Sequence, residues 1–95
     1  MPAYVVVNVE VNDPQAYSEY TQQVPGTLEK YGGRFIVRGG ALQVLEGSPL
    51  PRVVVIEFSS TEQANAWYHS PEYQAILPIR QRNARTSFLV IVPGV

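Results

Sequence analysis

Residues 4–11 read Tyr-Val-Val-Val-Asn-Val-Glu-Val, and no other stretch restricts the fold of this chain so tightly. β-Branched residues with a period of two predict a strand. Val5, Val7, Val9 and Val11 make one wholly apolar side, whereas Tyr4, Val6, Asn8 and Glu10 make a mixed one. Arg52–Phe58 repeats the pattern, with Val54, Ile56 and Phe58 on the apolar side and Val53, Val55 and Glu57 on the mixed side. It is apolar at nearly every position, which predicts a central strand covered on both faces. By the same alternation Phe35 and Val37 join the apolar side, and Arg34, Ile36 and Arg38 the mixed one.

The intervening segments carry helix signals. Asp13-Pro14 offers a cap acceptor and a proline suited to the first helical position. Tyr17, Tyr20, Val24, Leu28 and Tyr31 follow at steps of three and four, which gives one apolar face. Pro25-Gly26 predicts a kink or break in that helix, and Gly32-Gly33 its end. Ser60 with Gln63 forms a capping box, and Ser70-Pro71-Glu72 a second start signal. Ala64, Trp67, Tyr68, Tyr73, Ile76 and Leu77 are the inward positions, and Pro78 is expected to bend the last helix. Arg34–Arg38 and Ala41–Glu46 are expected as two strand segments bent at Gly39-Gly40, with a loop over 47–51 and a last strand over Ser87–Val92.

The order β-α-β-β-α-β predicts an α+β domain of the ferredoxin-like type: a four-stranded antiparallel sheet with helices on one face. Ninety-five residues leave room for one such domain, residues 1–95. The helices must cover the wholly apolar face, and two helical segments leave nothing for the mixed one. A second copy packed sheet to sheet about a two-fold axis would cover it, so a homodimer is expected.

Composition removes other classes. There is no cysteine, hence no disulfide or thiolate metal site. Seven basic and eight acidic residues are dispersed, without the basic stripe that nucleic acid or an anionic membrane requires. Apolar runs such as Val53–Ile56 and Phe88–Val92 are strand-length and too short to span a bilayer. No secretion signal is visible at the N-terminus, so the cytoplasm is the default expectation.

Several segments together resemble one family nearly end to end. They are Asp13-Pro14 with Tyr17 and Tyr20, Lys30-Tyr31-Gly32-Gly33-Arg34-Phe35, Arg38-Gly39-Gly40, Val44-Leu45-Glu46-Gly47, Val54-Val55-Ile56-Glu57-Phe58, and Trp67-Tyr68 with Ser70-Pro71-Glu72-Tyr73. The family they resemble is the one called domain of unknown function 1330. That resemblance implies a dimeric α-β barrel, a broad group that also holds small monooxygenases, haem-degrading enzymes and chlorite dismutases. It implies no particular reaction, and oxygenase chemistry would follow from fold analogy alone.

Candidate chemistry is sparse. His69 is the only histidine, so no multi-histidine metal site can form within one chain. It reads either as a helix-terminal residue meeting backbone carbonyls or as a proton carrier or haem ligand at a cleft mouth. Glu57 stands in an apolar strand and needs a partner, and Arg38 is expected to supply it. The pair reads as a structural ion pair, or as a polar cavity end with Arg38 binding an acid group and Glu57 acting as base. Asn8 reads equally as a structural residue or a ligand contact, and Glu10 as a rim charge. The tyrosines and Trp67 read as helix-face core; Tyr20 is also a candidate ligand contact with a hydroxyl handle. Arg80, Arg82 and Arg85 read as a solvated basic end to the last helix. The glycine pairs lack the order and the lysine of a phosphate loop. No nucleophile signature or metal-ligand spacing occurs, so neither metal nor cofactor is expected. Two function classes remain: a dimer that binds or transforms a small organic molecule, by cofactor-independent acid-base chemistry if it is an enzyme, and a non-catalytic dimeric module.

Overall fold

A computed structural model describes residues 1–95. The elements run β1 (Ala3–Val11), α1 (Pro14–Glu29), β2 (Arg34–Arg38), β3 (Arg52–Phe58), α2 (Thr61–Tyr68), α3 (Pro71–Asn83) and β4 (Ala84–Pro93). The four strands form one sheet in the order β2-β3-β1-β4, every neighbouring pair antiparallel. This is the ferredoxin-like arrangement expected from the sequence.

The helix starts follow the caps. Asp13 Oδ1 accepts from the Ala16 amide at 3.2 Å, and Ser60 and Ser70 accept from the Gln63 and Tyr73 amides at 3.1 Å each. α1 ends as the glycines require: Gly33 N–H donates to Leu28 O and Gly32 N–H to Glu29 O, with Gly32 at φ +71°. The helix does not break at Pro25-Gly26: α1 is continuous through it. Val24, Thr27 and Leu28 are buried around Pro25, so packing on the core offsets the one hydrogen bond that proline removes.

Val5, Val7, Val9, Val54, Ile56 and Phe58 are buried beneath the helices, and Trp67 and Tyr73 anchor α2 and α3 on them. The Trp67 and Tyr73 ring centroids lie 4.2 Å apart. The Trp67 indole N–H donates to Thr27 Oγ1 at 2.9 Å, which joins α2 to α1.

The second half of the β2–β3 connection departs from expectation. Ala41–Glu46 is not a strand. Gly39 and Gly40 have φ of +83° and +100°, which turns the chain out of the sheet, and no backbone–backbone hydrogen bond holds residues 40–49. The chain returns at Leu50. There the Asn8 side chain accepts from the Leu50 amide at 3.0 Å and donates to the Leu50 and Arg52 carbonyls at 3.0 and 3.1 Å.

Two β-bulges interrupt the register. In β2, Phe35 pairs with Ile56 but Val37 pairs with Val55, so Ile36 is the extra residue. In β4, Phe88 pairs with Asn8 but Thr86 pairs with Val9, so Ser87 is extra. Each bulge swaps the faces of the residues beyond it. Val37 therefore joins the outer face with Val55, and Arg38 the helix-covered face with Val54. This reverses the sequence expectation for both residues.

The candidate ligand cavity

α1 lies alongside α3, and between α1 and the inner face of the sheet there is a cavity of about 610 Å³. Its walls are mostly apolar and aromatic, with Val7, Val11, Val24, Phe35, Val54, Ile56, Trp67 and Leu89 among them. α1 contributes Tyr17 and Tyr20, four-fifths of a turn apart on its inward face, with ring centroids 5.2 Å apart.

The charged lining is of one sign. Arg38, Arg52 and Arg80 line the cavity, and no aspartate or glutamate does. None of the three forms an ion pair; the three ion pairs in the chain are Lys30–Glu72, Arg34–Glu57 and Arg85–Glu10. Arg38 lies over the Phe35 ring, its Cζ 4.2 Å from the centroid, a cation–π contact that steers it over the inner face. Arg52 stands opposite Val9 on that face. Its Nη1 packs against Gly39, where a Cβ would stand 2.8 Å away, and its Nε is buried without an acceptor.

Arg80 is only 5% exposed, not the solvated helix end expected from the sequence. Its Nε donates to Tyr73 Oη at 3.4 Å and its Nη1 to Thr86 Oγ1 at 2.6 Å. Burial disfavours its charge, but the phenol oxygens of Tyr73, Tyr20 and Tyr68 outweigh that, and its pKa stands above the ordinary guanidinium value. Tyr73 shares a hydrogen bond with Tyr20, hydroxyl to hydroxyl, at 2.7 Å. A continuous chain of polar contacts thus runs from Tyr20 at the cavity wall through Tyr73 to Arg80. Burial, reinforced by Tyr73, drives the Tyr20 pKa far above its usual value, and burial raises that of Tyr17 as well. Both phenols are neutral hydrogen-bond donors at any physiological pH.

The sequence candidates divide. Arg38 and Tyr20 meet at this cavity. Asn8 does not: it is 2% exposed and fully engaged with the backbone at Leu50 and Arg52. Glu57 lies on the outer face, and its register partner is Arg34 rather than Arg38. Arg34 Nε donates to Glu57 Oε1 at 2.7 Å, and Nη2 stands 2.6 Å from the same oxygen. His69 is exposed at the C-terminus of α2, its backbone N–H donating to Asn65 O at 3.0 Å and its ring edge-on to Tyr68. No group of three or more histidine, cysteine, aspartate or glutamate residues could hold a metal ion. Sequence reasoning missed Arg52 and Arg80. Arg52 directly precedes the apolar run of β3, which was a usable signal, whereas Arg80 had none.

A ferredoxin-like sheet with a one-signed, partly aromatic cavity under its first helix describes a class of protein rather than an activity. The chain belongs to the family described as domain of unknown function (DUF1330), whose model matches residues 2–95. A search of curated protein sequences found no match. Among solved structures, a protein of unknown function from Rhodopseudomonas palustris is similar, with TM-score 0.75 and 18% identity over 99% of this chain and 82% of that one. A dimeric ferredoxin-like protein of unknown function from Jannaschia sp. CCS1 gives TM-score 0.74 and 14% identity, covering 99% and 100% of the two chains. SnoaB, a cofactor-independent oxygenase from Streptomyces nogalater, gives 0.68 and 8%, covering 99% and 93%. At these identities the likeness concerns the fold. No helix is long and apolar enough to cross a membrane.

Proposed function

We propose that this chain binds a small organic molecule in the cavity beneath α1, as one subunit of a homodimer joined through the outer sheet faces. The cavity itself carries the first half. Its volume of about 610 Å³ lies in the range of small-molecule sites, roughly 300–1,000 Å³, and its apolar walls converge on a few polar groups. Tyr73 accepts from Arg80, so its own proton can go to Tyr20, which leaves the Tyr20 hydroxyl proton for a ligand oxygen. A purely structural module has no use for such a space, because a void beside core side chains forfeits packing energy.

The outer face supports the second half. Ile36, Val37, Phe88, Val90 and Val92 are each more than 40% exposed. Val90 and Val55 flank Val6 on the two neighbouring strands, so the apolar surface is contiguous across the sheet. Dimeric ferredoxin-like proteins occur among the structural neighbours. The cavity lies on the opposite face, so a sheet-to-sheet dimer leaves it open.

Trp67 is the only tryptophan and lines the cavity, so its emission reports occupancy. Titration with paired bicyclic aromatics, 2-naphthamide and 2-naphthoate, should give a saturable change with at least one of them. A folded protein whose emission responds to neither up to their solubility limits refutes the ligand reading. Sedimentation velocity should give a dimer that Val90→Glu dissociates, and a parent chain that sediments as a monomer at micromolar concentration refutes the assembly.

A further inference from the structure

We propose that the ligand is an organic acid, an apolar and preferably aromatic body carrying a carboxylate that sits on Arg52 with Arg38 beside it. This deepens the cavity reading above and rests on it. Three guanidinium groups converge on one mostly apolar cavity that contains no acidic side chain, while the acids that do pair serve Lys30, Arg34 and Arg85 elsewhere. Like charges gathered beside one mostly apolar space repel, and an anion bound among them would relieve that repulsion.

The geometry selects the kind of anion. Nη1 of Arg52 backs onto Gly39, a position where the absent Cβ leaves room for it. The opposite edge of a guanidinium, Nε with Nη2, is the one that receives a carboxylate side-on through two parallel hydrogen bonds. Nε of Arg52 belongs to that edge, and it is the one buried side-chain nitrogen or oxygen in the protein left without a hydrogen-bond partner. A buried donor without an acceptor is costly, so a carboxylate there satisfies an atom that the chain itself leaves unsatisfied. Arg38 reaches the same region from β2, because the bulge at Ile36 puts it on the inner face opposite Val54, two residues along β3 from Arg52. The remaining walls, Phe35, Tyr17, Val54 and Leu89, match an apolar body rather than a bare inorganic ion.

2-Naphthoate and 2-naphthamide share one shape and differ in charge. The acid should quench or shift Trp67 emission with an affinity about tenfold or more above that of the amide, the margin a charge-assisted pair supplies. Arg52→Met should abolish most of that preference, weakening the acid far more than the amide, whose carbonyl loses only a neutral acceptor's hydrogen bond. Arg38 is exposed, so Arg38→Met carries the same test with a several-fold loss if the Arg52 variant does not fold. Equal affinity for acid and amide overturns the acid assignment while the cavity remains a ligand site. Preference for the acid that survives both substitutions overturns it too, since the charge would then be read elsewhere. Silence from both probes removes the cavity reading, and this one with it.

Discussion

Trp67→Ala should cost this protein about 3–5 kcal/mol, the range for removing a large aromatic from a core. The structure gives the reason. Trp67 is 1% exposed, with Phe58 at 5.6 Å and Tyr73 at 4.2 Å between ring centroids. An aromatic side chain buries ~150–250 Å², which at ~25 cal/mol per Å² is roughly 4–6 kcal/mol as an upper bound. The hydrogen bond to Thr27 adds about 1 kcal/mol. Trp67→Phe separates the contributions: it keeps most of the ring, loses the indole N–H, and should cost about 1–2 kcal/mol. Thr27 Oγ still donates to Val24 O at 2.7 Å in that variant, so no buried donor is stranded. Urea unfolding followed by far-ultraviolet circular dichroism measures both variants. Parent and variants must be compared at one protein concentration, because the proposed dimer would make apparent stability concentration-dependent. A total stability of roughly 5–15 kcal/mol leaves Trp67→Ala near the limit of folding. A loss below about 1 kcal/mol would refute the anchoring argument and make Trp67 a cavity wall with little structural weight.

Asn8→Ala should destabilise by about 2–3 kcal/mol, since it strands the Leu50 amide and two carbonyls; hydrogen exchange at Leu50 should accelerate, and an unchanged rate would count against the role. Glu57→Gln should cost no more than about 1 kcal/mol, because Arg34 is largely exposed and such pairs are screened. A double-mutant cycle with Arg34→Met that gave a coupling above ~2 kcal/mol would contradict that reading. At alkaline pH, Tyr17 and Tyr20 have folded-state pKa values raised above the ordinary 10.0. Their contribution is therefore fully present below about pH 10 and is lost as the pH rises beyond it, where the unfolded chain releases phenolic protons that the native one retains. Stability measured across that window should fall, and phenolate absorbance from Tyr20 should appear only with unfolding; tyrosinate formation by all six tyrosines in the folded protein would disprove it.

The helices, the strand order and the inner core were legible because each rests on short-range signals. Asp13, Ser60 and Ser70 fix the helix starts through hydrogen bonds to amides three residues on. The period-two alternation of β1 and β3 fixes which valines meet the helices. Ala41–Glu46 shows the limit of that reasoning. Its alternation is strand-like, but a strand is a pairing, and the positive φ at two successive glycines removes the pairing. Arg38 lines the cavity, but on the inner face and without Glu57, because counting along β2 from the loop assumes an unbroken register. Arg80 illustrates another failure. Three arginines near a helix end suggest solvation, yet packing decides which of them is buried: Tyr73 stands two turns earlier in the same helix, and Thr86 is supplied by β4.

The two bulges explain why the cavity escaped a reading by alternation. Each adds one residue to a strand and inverts the faces beyond it. At Ile36 the inversion sends Arg38 inward over Phe35 and leaves Val37 on the outer face. At Ser87 it sends Thr86 inward, where its hydroxyl accepts from Arg80. Phe88, on the other side of that bulge, stays outward beside Val53 across Asn8. A regular β2 would have buried Val37 in the cavity wall and set Arg38 on the outer face, close to the apolar patch that a second copy would cover. A regular β4 would have left Arg80 without its Thr86 partner. Both irregularities thus enrich the cavity in polar groups, and the one at Ile36 also keeps Arg38 off the outer face, so the proposed acid site and the proposed dimer surface share one departure from strict alternation in β2.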